Sequence, residues 1–458
     1  MSEHNKLAEG ALGTAESVVM GVAGTAPAFS VAATTTTLVA AVGVLSAASI
    51  LYCGLIMFGV TLAFMHLNKT DPNAGASYAW VSRVFNPTLG FFAGWALLVA
   101  SAVFMVSGTV PAATATLLLV APSLATEPAW VTAVAAGWLL AVSAVILKGI
   151  KPTSYTQIVM TGVEVLILVI VIVAAFIQFA HHPAHVFGLA QLSPTAFTPA
   201  LFATGALTSL FFFWGWDVTV NLNEETRDAS RAAGHAAIWA MLVVMLLFIT
   251  FLAAVLLVLS DAEISQSGTN IVFALADKLF PRPWGYMAVI AVMLSSVGTL
   301  ETSILQFTRT LFAQGRDGSL HPRYAKLHPV WRTPWVATLT LTVLGLVFLL
   351  LSSHFPSVNT IIGDSVNAIG FQVAFYYSLA GLACAWHYRR RAFDNLRNLL
   401  LLQIWPLASA AFLIFIAIYS IPTFDTTTKV VGIGGIVIGV IPLLLNRLRT
   451  RHILRATV

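Results

Sequence analysis

Gly21-Val22-Ala23-Gly24-Thr25-Ala26-Pro27 and Phe211-Phe212-Phe213-Trp214-Gly215-Trp216-Asp217 decide the fold. Each interrupts an apolar run long enough to cross a bilayer. Glycines weaken a helix, and Pro27 removes a backbone donor and collides with the preceding turn. The second stretch sets an aromatic cluster around a glycine and ends in a carboxylate. Backbone freed at mid-membrane must be buried in protein or line a cavity. Counted along the chain, the two interruptions fall in the first and the sixth apolar runs. Five is odd, so the two broken helices enter from opposite sides. That is the pattern of an inverted repeat with a binding site between the broken helices. Glycine and proline are also common in membrane helices that bind nothing; it is their matched positions that favour the repeat.

The rest of the chain supports a membrane reading. Of 458 residues, 58% are hydrophobic and 9% charged, against about a quarter charged in soluble domains. A crossing needs about 20 apolar residues. Runs at 14–43, 47–66, 88–120, 129–147, 156–179, 198–222, 234–259, 284–312, 335–352, 359–386, 400–420 and 428–446 predict twelve spans. The predicted fold class is therefore an all-α integral membrane protein in a single domain. Residues 14–180 form the first repeat, 198–386 the second, and 400–446 two additional helices. Proline at 111 allows a break within 88–120, which is too short for two crossings. With this map, all of the 23 Lys and Arg residues except Lys278, Arg282 and Lys429 fall on the side shared by the termini. The positive-inside rule places that side in the cytoplasm. The polar N-terminus lacks a basic region followed by a short apolar core, so the first run is expected to stay in the mature protein. The longest outer loops are expected near 180–198 and 260–283.

Ionisable groups inside spans are costly and are candidates for function by default. There are four: Glu164 in span 5, Asp217 after the break in span 6, Glu301 in span 8 and Asp364 near the outer end of span 10. No Lys or Arg lies deep in a span. The three deep acids must therefore be protonated, hydrogen-bonded, or paired with a substrate or ion. Asp217 fits a gate or proton site, or a staple for unwound backbone. Glu164 fits a coupling group or a protonated packing residue. Glu301, flanked by Ser295, Ser296, Thr299, Thr302 and Ser303, fits contact with a substrate or cation. Asp364 fits an outer gate or an interface. At the first break, Gly21 permits close approach, and Gly24, Thr25 and Ala26 are expected to offer N–H groups to a substrate carboxylate. At the second, carbonyls near Phe211–Phe213 suit an ammonium, and Phe211, Phe212, Trp214 and Trp216 offer cation–π faces, a gate or plain packing.

Other chemistries find little support. Cys53 and Cys384 lie in apolar runs and make neither a disulfide framework nor a metal site. His181, His182 and His185 cluster in an outer loop without an acid or cysteine beside them, so a solvated loop is the default and no metal is expected. No nucleophile–base set, phosphate loop or cofactor motif is present. Gly432, Gly434, Gly435 and Gly439 suit close helix packing. A transporter explains paired broken helices better than a gated channel does, and a membrane enzyme lacks a catalytic set. The unpaired acids tilt the substrate toward a cation or amine; a neutral amino acid whose symport uses the acids for H⁺ or Na⁺ is the alternative.

Three motifs carry a family resemblance. Asp71-Pro72-Asn73-Ala74-Gly75-Ala76-Ser77-Tyr78, with Arg83 and Gly90-Phe91-Phe92-Ala93-Gly94-Trp95, resembles a signature of the amino acid–polyamine–organocation permeases, Ala76 replacing a glycine. Arg316-Asp317-Gly318, then Leu320, Pro322, His328, Thr333 and Pro334, resembles the family's loop after span 8. Gly215-Trp216-Asp217 with Glu224-Glu225 resembles its Gly-Phe-Glu…Glu-Glu stretch. The resemblance spans about 330 residues in order. It implies a LeuT-type fold of five plus five helices with two more. It also implies secondary transport of amino acids, amines or polyamines, proton-coupled or by exchange, across the cytoplasmic membrane. It places Phe211 at an aromatic gate and Glu301 near the substrate-lining part of span 8. The sequence departs from the family at Gly24-Thr25-Ala26-Pro27, at Asp217 in place of Glu, and at Glu164, where some proton-coupled members carry a lysine.

Overall fold

A computed structural model describes residues 6–186, 188–352 and 358–456. Among them, ten helical segments are long and apolar enough to cross a membrane. The chain is a multi-pass helical membrane protein. No strand occurs among the described residues beyond one isolated bridge between Leu12 and Thr226.

The first segment, Thr14–Thr70, is three helices: α1 (Thr14–Gly24), α2 (Pro27–Val42) and α3 (Ser46–Thr70). The break expected at Pro27 is present. Ala26 adopts φ 47°, ψ 66°, the left-handed region, which L-residues other than Gly, Asn and Asp rarely visit. After α4 (Ser77–Val84) comes α5 (Pro87–Val120), which runs unbroken through Pro111. The break allowed at Pro111 does not form. Helices α6 (Pro128–Leu147) and α7 (Ile150–Phe179) complete the first half.

The second half opens with α8 (Pro199–Phe211), a short apolar helix, then an irregular turn with Gly215 at φ 104°, then α9 (Val218–Asn221). Next come α10 (Ala232–Val258), α11 (Asp261–Ser267), α12 (Ile271–Leu279), α13 (Met287–Arg316), α14 (Trp335–Ser352) and α15 (Val358–Tyr388). Two further segments, Leu396–Thr423 and Thr426–Arg449, follow. In the segment containing α13, 78% of the most apolar stretch is buried, against 17% in Thr426–Arg449. Helix α13 is therefore central, and the last helix is peripheral with most of its surface free to meet lipid.

The expected outer loop at 260–283 is folded rather than open. Ser260 caps α11, and Glu263 reaches back to the Ser260 N–H at 2.7 Å. Thr36 of α2 donates to the Gly268 carbonyl at 2.9 Å, tying the loop to α2. Lys278 and the Ser260 cap draw the Glu263 carboxyl down to about 2. Both ends of the described chain lie at one end of the bundle. The Leu12 N–H donates to the Glu225 carbonyl at 2.9 Å, Glu224 holds Arg316, and Asn446 near the C-terminus donates to the Gly318 carbonyl at 2.6 Å.

Candidate functional site at the two helix breaks

The two breaks meet backbone to backbone. A methyl placed on Gly24 would fall 2.1 Å from the Gly215 carbonyl oxygen, and one on Gly215 would fall 2.0 Å from the Gly24 oxygen. Only glycine at both positions permits this crossing. Gly21, one turn earlier in α1, lies against Ala240 of α10 and Thr219 of α9, where a methyl would fall 2.7 and 2.8 Å away. The small residues at the first break thus serve the close approach of helix to helix.

Their N–H groups are used otherwise than expected. The Thr25 N–H donates to the Val22 carbonyl at 3.2 Å and the Ala26 N–H to the Ala23 carbonyl at 3.0 Å. They close the last turn of α1 and do not face an open site. The free donors belong to the first turn of α2, and α7 and α13 supply their acceptors. The Phe29 N–H donates to Ser295 Oγ at 3.1 Å, and Ser295 Oγ donates to Glu164 Oε1 at 3.2 Å. The Ala28 N–H is aimed at the same carboxylate. Thr299, one turn past Ser295, donates to the Ala23 carbonyl. The polar face of α13 therefore clasps both sides of the break.

Glu301 does not join that clasp. Two residues beyond Thr299, it is turned by about 200° around the helix. Its carboxylate faces α7, where Thr156 Oγ1 lies 3.3 and 3.4 Å from its oxygens. With its amide oriented to satisfy every neighbour, Gln157 donates to Glu301 at 3.1 Å and to the Gly298 carbonyl at 3.2 Å, and accepts from Thr161 at 3.0 Å. Glu301 is buried at the α7–α13 contact, while Ser295 and Thr299 are the α13 residues at the break.

Asp217 sits beside the second break with both oxygens occupied. Tyr376 and Tyr377 of α15 each donate a hydroxyl to it at 2.9 Å. Trp214 Nε1 donates to the Tyr376 oxygen at 3.0 Å. Sequence reasoning missed this tyrosine pair. Two adjacent hydroxyls inside an apolar span were a signal, since a buried Tyr O–H needs a partner. Above it, Phe211 lies 6.4 Å from Trp214, Trp214 5.5 Å from Phe104, and Phe104 5.8 Å from Phe29. These rings roof the crossing on the side away from the termini. Beyond Phe29 a cavity of about 70 Å³ remains, lined by Pro111, Asn270, Val292 and Ile362. Phe212 turns from the break and packs edge-on against Phe248 of α10. Trp216 packs between Phe64 and Tyr377, at 5.2 and 5.4 Å.

The termini-bearing end is sealed by polar contacts. Arg309 of α13 forms a bidentate pair with Glu225, both bonds 2.9 Å, with side chains 0% and 1% exposed. Arg316 pairs with Glu224 in the same way but is partly exposed. Glu224 also accepts the Ala74 N–H at 2.9 Å, and Asn221 donates to the Ala74 carbonyl at 3.0 Å. Leu12 and Ser17 bind the same segment through the bridge to Thr226 and the Ser17–Thr226 hydroxyl pair at 3.4 Å. The sequence offers Glu225 only as part of a motif and does not show its partner.

The sequence pattern of the amino acid permease family matches residues 12–441, nearly the whole chain. The chain belongs to the amino acid permease family. That membership sets it among membrane transporters rather than enzymes. It is 26% identical over 348 residues to the low-affinity putrescine importer PlaP of Escherichia coli (strain K12), covering 72% of this chain and 71% of that one. It is 23% identical over 395 residues to Asc-type amino acid transporter 1 of Mus musculus, covering 82% and 69%. It is also 27% identical over 185 residues to the serine/threonine exchanger SteT of Bacillus subtilis (strain 168); that match covers 40% of this chain and 40% of that one.

The remaining candidates lie away from the crossing. Asp364 lines an apolar crevice of about 830 Å³ with Trp95, Leu344, Val430 and Pro442. His185 is held by the Leu256 carbonyl at 2.8 Å and by Asp261 at 3.0 Å, an acid brought from α11 that the sequence did not place there. No group of three metal-ligating side chains occurs among the described residues. Cys53 and Cys384 are buried and free.

Proposed function

We propose that this permease is a secondary active transporter of a small amine-bearing solute, an amino acid or an amine, working by alternating access. The observation that carries this reading is the contact of two broken helices at Gly24 and Gly215, with an aromatic roof on one side and a buried ion-pair seal on the other. A centre closed from both ends suits a carrier, which must never be open to both sides at once. On this reading the chain crosses the membrane twelve times. Segment Thr14–Thr70 supplies the first two crossings, and α8, the turn and α9 supply the sixth. The repeats are inverted and both termini are cytoplasmic. Purified protein in sealed vesicles should then accumulate an amine or amino acid against its gradient, with saturation and counterflow. Unsaturable, purely downhill flux would mean a channel instead.

The orientation makes its own prediction. In sealed cells, single cysteines at 181–195 or 262–282 should react with an impermeant reagent added outside, and those at 313–332 or 388–398 should not. External labelling between 316 and 326 would invert the map.

Coupling to protons is assigned to Glu301, an acid with no basic partner among the described residues. In a Glu301→Gln variant the amide mimics the protonated acid. Binding and exchange should survive, while uptake driven by an imposed pH gradient should fall at least about tenfold, within the range lost with a proton-transfer group. Unchanged pH-driven uptake would leave Glu301 as a packing residue of the α7–α13 contact. A second reading, exchange of neutral amino acids, is favoured by the similarity to the serine/threonine exchanger. It would show as uptake that needs internal substrate and ignores the pH gradient.

A further inference from the structure

We infer that the substrate of this permease is an organic amine without a carboxylate, because Glu164 already occupies the place where a carboxylate would bind; the inference rests on the transport reading above. The Thr25 and Ala26 N–H groups donate to Val22 and Ala23. Pro27 has no N–H. The Ala28 N–H is aimed at Glu164, the Phe29 N–H donates to Ser295, and the Ser30 N–H donates to the Ala26 carbonyl at 2.7 Å. Of the five amides from residue 25 to residue 30, four are hydrogen-bonded and the fifth, Ala28, has Glu164 beside it. The start of α2, where a helix dipole favours a negative group, is filled by a carboxylate from the protein itself. That carboxylate is buried, 1% exposed, and Ser295 fixes it from α13.

The second break offers an anion no better place. Trp216 Nε1 and Gln306 Nε2 are buried donors without acceptors. Both lie beside Asp217, one as its neighbour in sequence and the other facing its carboxylate. A substrate carboxylate drawn to them would meet a second acid in a dry interior, where like charges repel strongly. None of the ion pairs among the described residues involves Glu164, Asp217 or Glu301. Buried acids without a basic partner need a proton or a cation. The Trp214 ring and the tyrosine-held Asp217 present an aromatic face next to an acid, which suits an ammonium group.

The test compares amines with their carboxylated counterparts on the purified full chain. Putrescine against ornithine, cadaverine against lysine, and ethanolamine against serine differ by the α-carboxylate alone. Binding by titration calorimetry and uptake into vesicles are measured for all six. In any pair that binds, the amine should bind at least about 100-fold more tightly, since one like-charge contact at a few ångströms in a protein interior suffices for that ratio. An amino acid that binds as tightly as its amine overturns the inference while the transport reading stands. If no member of any pair binds or enters, both fall. Glu164→Gln keeps the shape and removes the charge, so it should narrow the amine preference at least about tenfold. A preference unchanged by that substitution would remove Glu164 as its cause.

Discussion

An alanine at Gly215 is expected to lower uptake per inserted molecule at least about 100-fold, the scale of misplacing reacting or binding groups by about 1 Å. Two independent penalties fall on one methyl. The first is steric: it would stand 2.0 Å from the Gly24 oxygen and 2.5 Å from the Gly24 carbonyl carbon. These are backbone atoms and cannot rotate aside, so the two broken helices must move apart. The second is conformational: φ at Gly215 is 104°, which an L-residue adopts only at a cost of about 1–3 kcal/mol. Gly24→Leu should act in the same way, since its first side-chain atom would meet the Gly215 oxygen at 2.1 Å. Gly137→Ala and Gly162→Ala are the matched controls, because nothing lies within 4 Å of a methyl at either. Both should transport normally. Wild-type uptake by Gly215→Ala would show that the crossing has no part in the transport cycle.

Much of this architecture could be read from the chain because membrane constraints are severe. Length and hydropathy located the long helices but not the short α4, α11 and α12, and Gly24, Pro27 and Gly215 located the irregular backbone. Pro111 carried the same sequence signal and yet lies in a continuous helix, since a lone proline flanked by good helical contacts bends a segment more often than it cuts one. The fold of the loop after α10 was written in Ser260 and Glu263, a capping box that a search for long apolar runs passes over. The partners of the site were harder to see. Asp217 and its two tyrosines are about 160 residues apart, and no local pattern joins them. Glu301 was singled out with the polar patch of α13, but helical phase separates that patch into two faces. Ser295 and Thr299 turn to the break, and Glu301 turns to α7. The donors of the first break were placed on Gly24, Thr25 and Ala26 because the helix stops there. In the structure those residues finish α1, and the amides that leave the helical ladder begin after Pro27, where Ser295 and Glu164 meet them.

Removing Arg309 while Glu225 remains is expected to destabilise the protein by about 3–5 kcal/mol, the usual cost of leaving one member of a buried ion pair alone. Arg309→Met keeps much of the volume and removes the charge. Glu225 would then sit 1% exposed, with two oxygens that had each accepted a guanidinium N–H at 2.9 Å. Glu225→Leu should be similarly costly, because it strands the arginine. The double variant should recover most of the loss, since a packed apolar pair of similar size often matches a buried ion pair in stability. The neighbouring Arg316–Glu224 pair is a built-in comparison. Its side chains are 22% and 23% exposed, so Arg316→Met should cost no more than about 1 kcal/mol. The same variants test the seal. Thr226 is buried, bridged to Leu12 and hydrogen-bonded to Ser17, so the thiol of a Thr226→Cys variant should resist impermeant reagents in inside-out vesicles. Either single substitution at the deep pair should raise its labelling rate, because the segment carrying Glu225 loses its anchor to α13. Thermal unfolding in detergent measures the first effect and labelling rates the second. If both single variants unfold at the wild-type midpoint and the thiol introduced by Thr226→Cys labels no faster, Arg309 and Glu225 are not what closes this end of the permease.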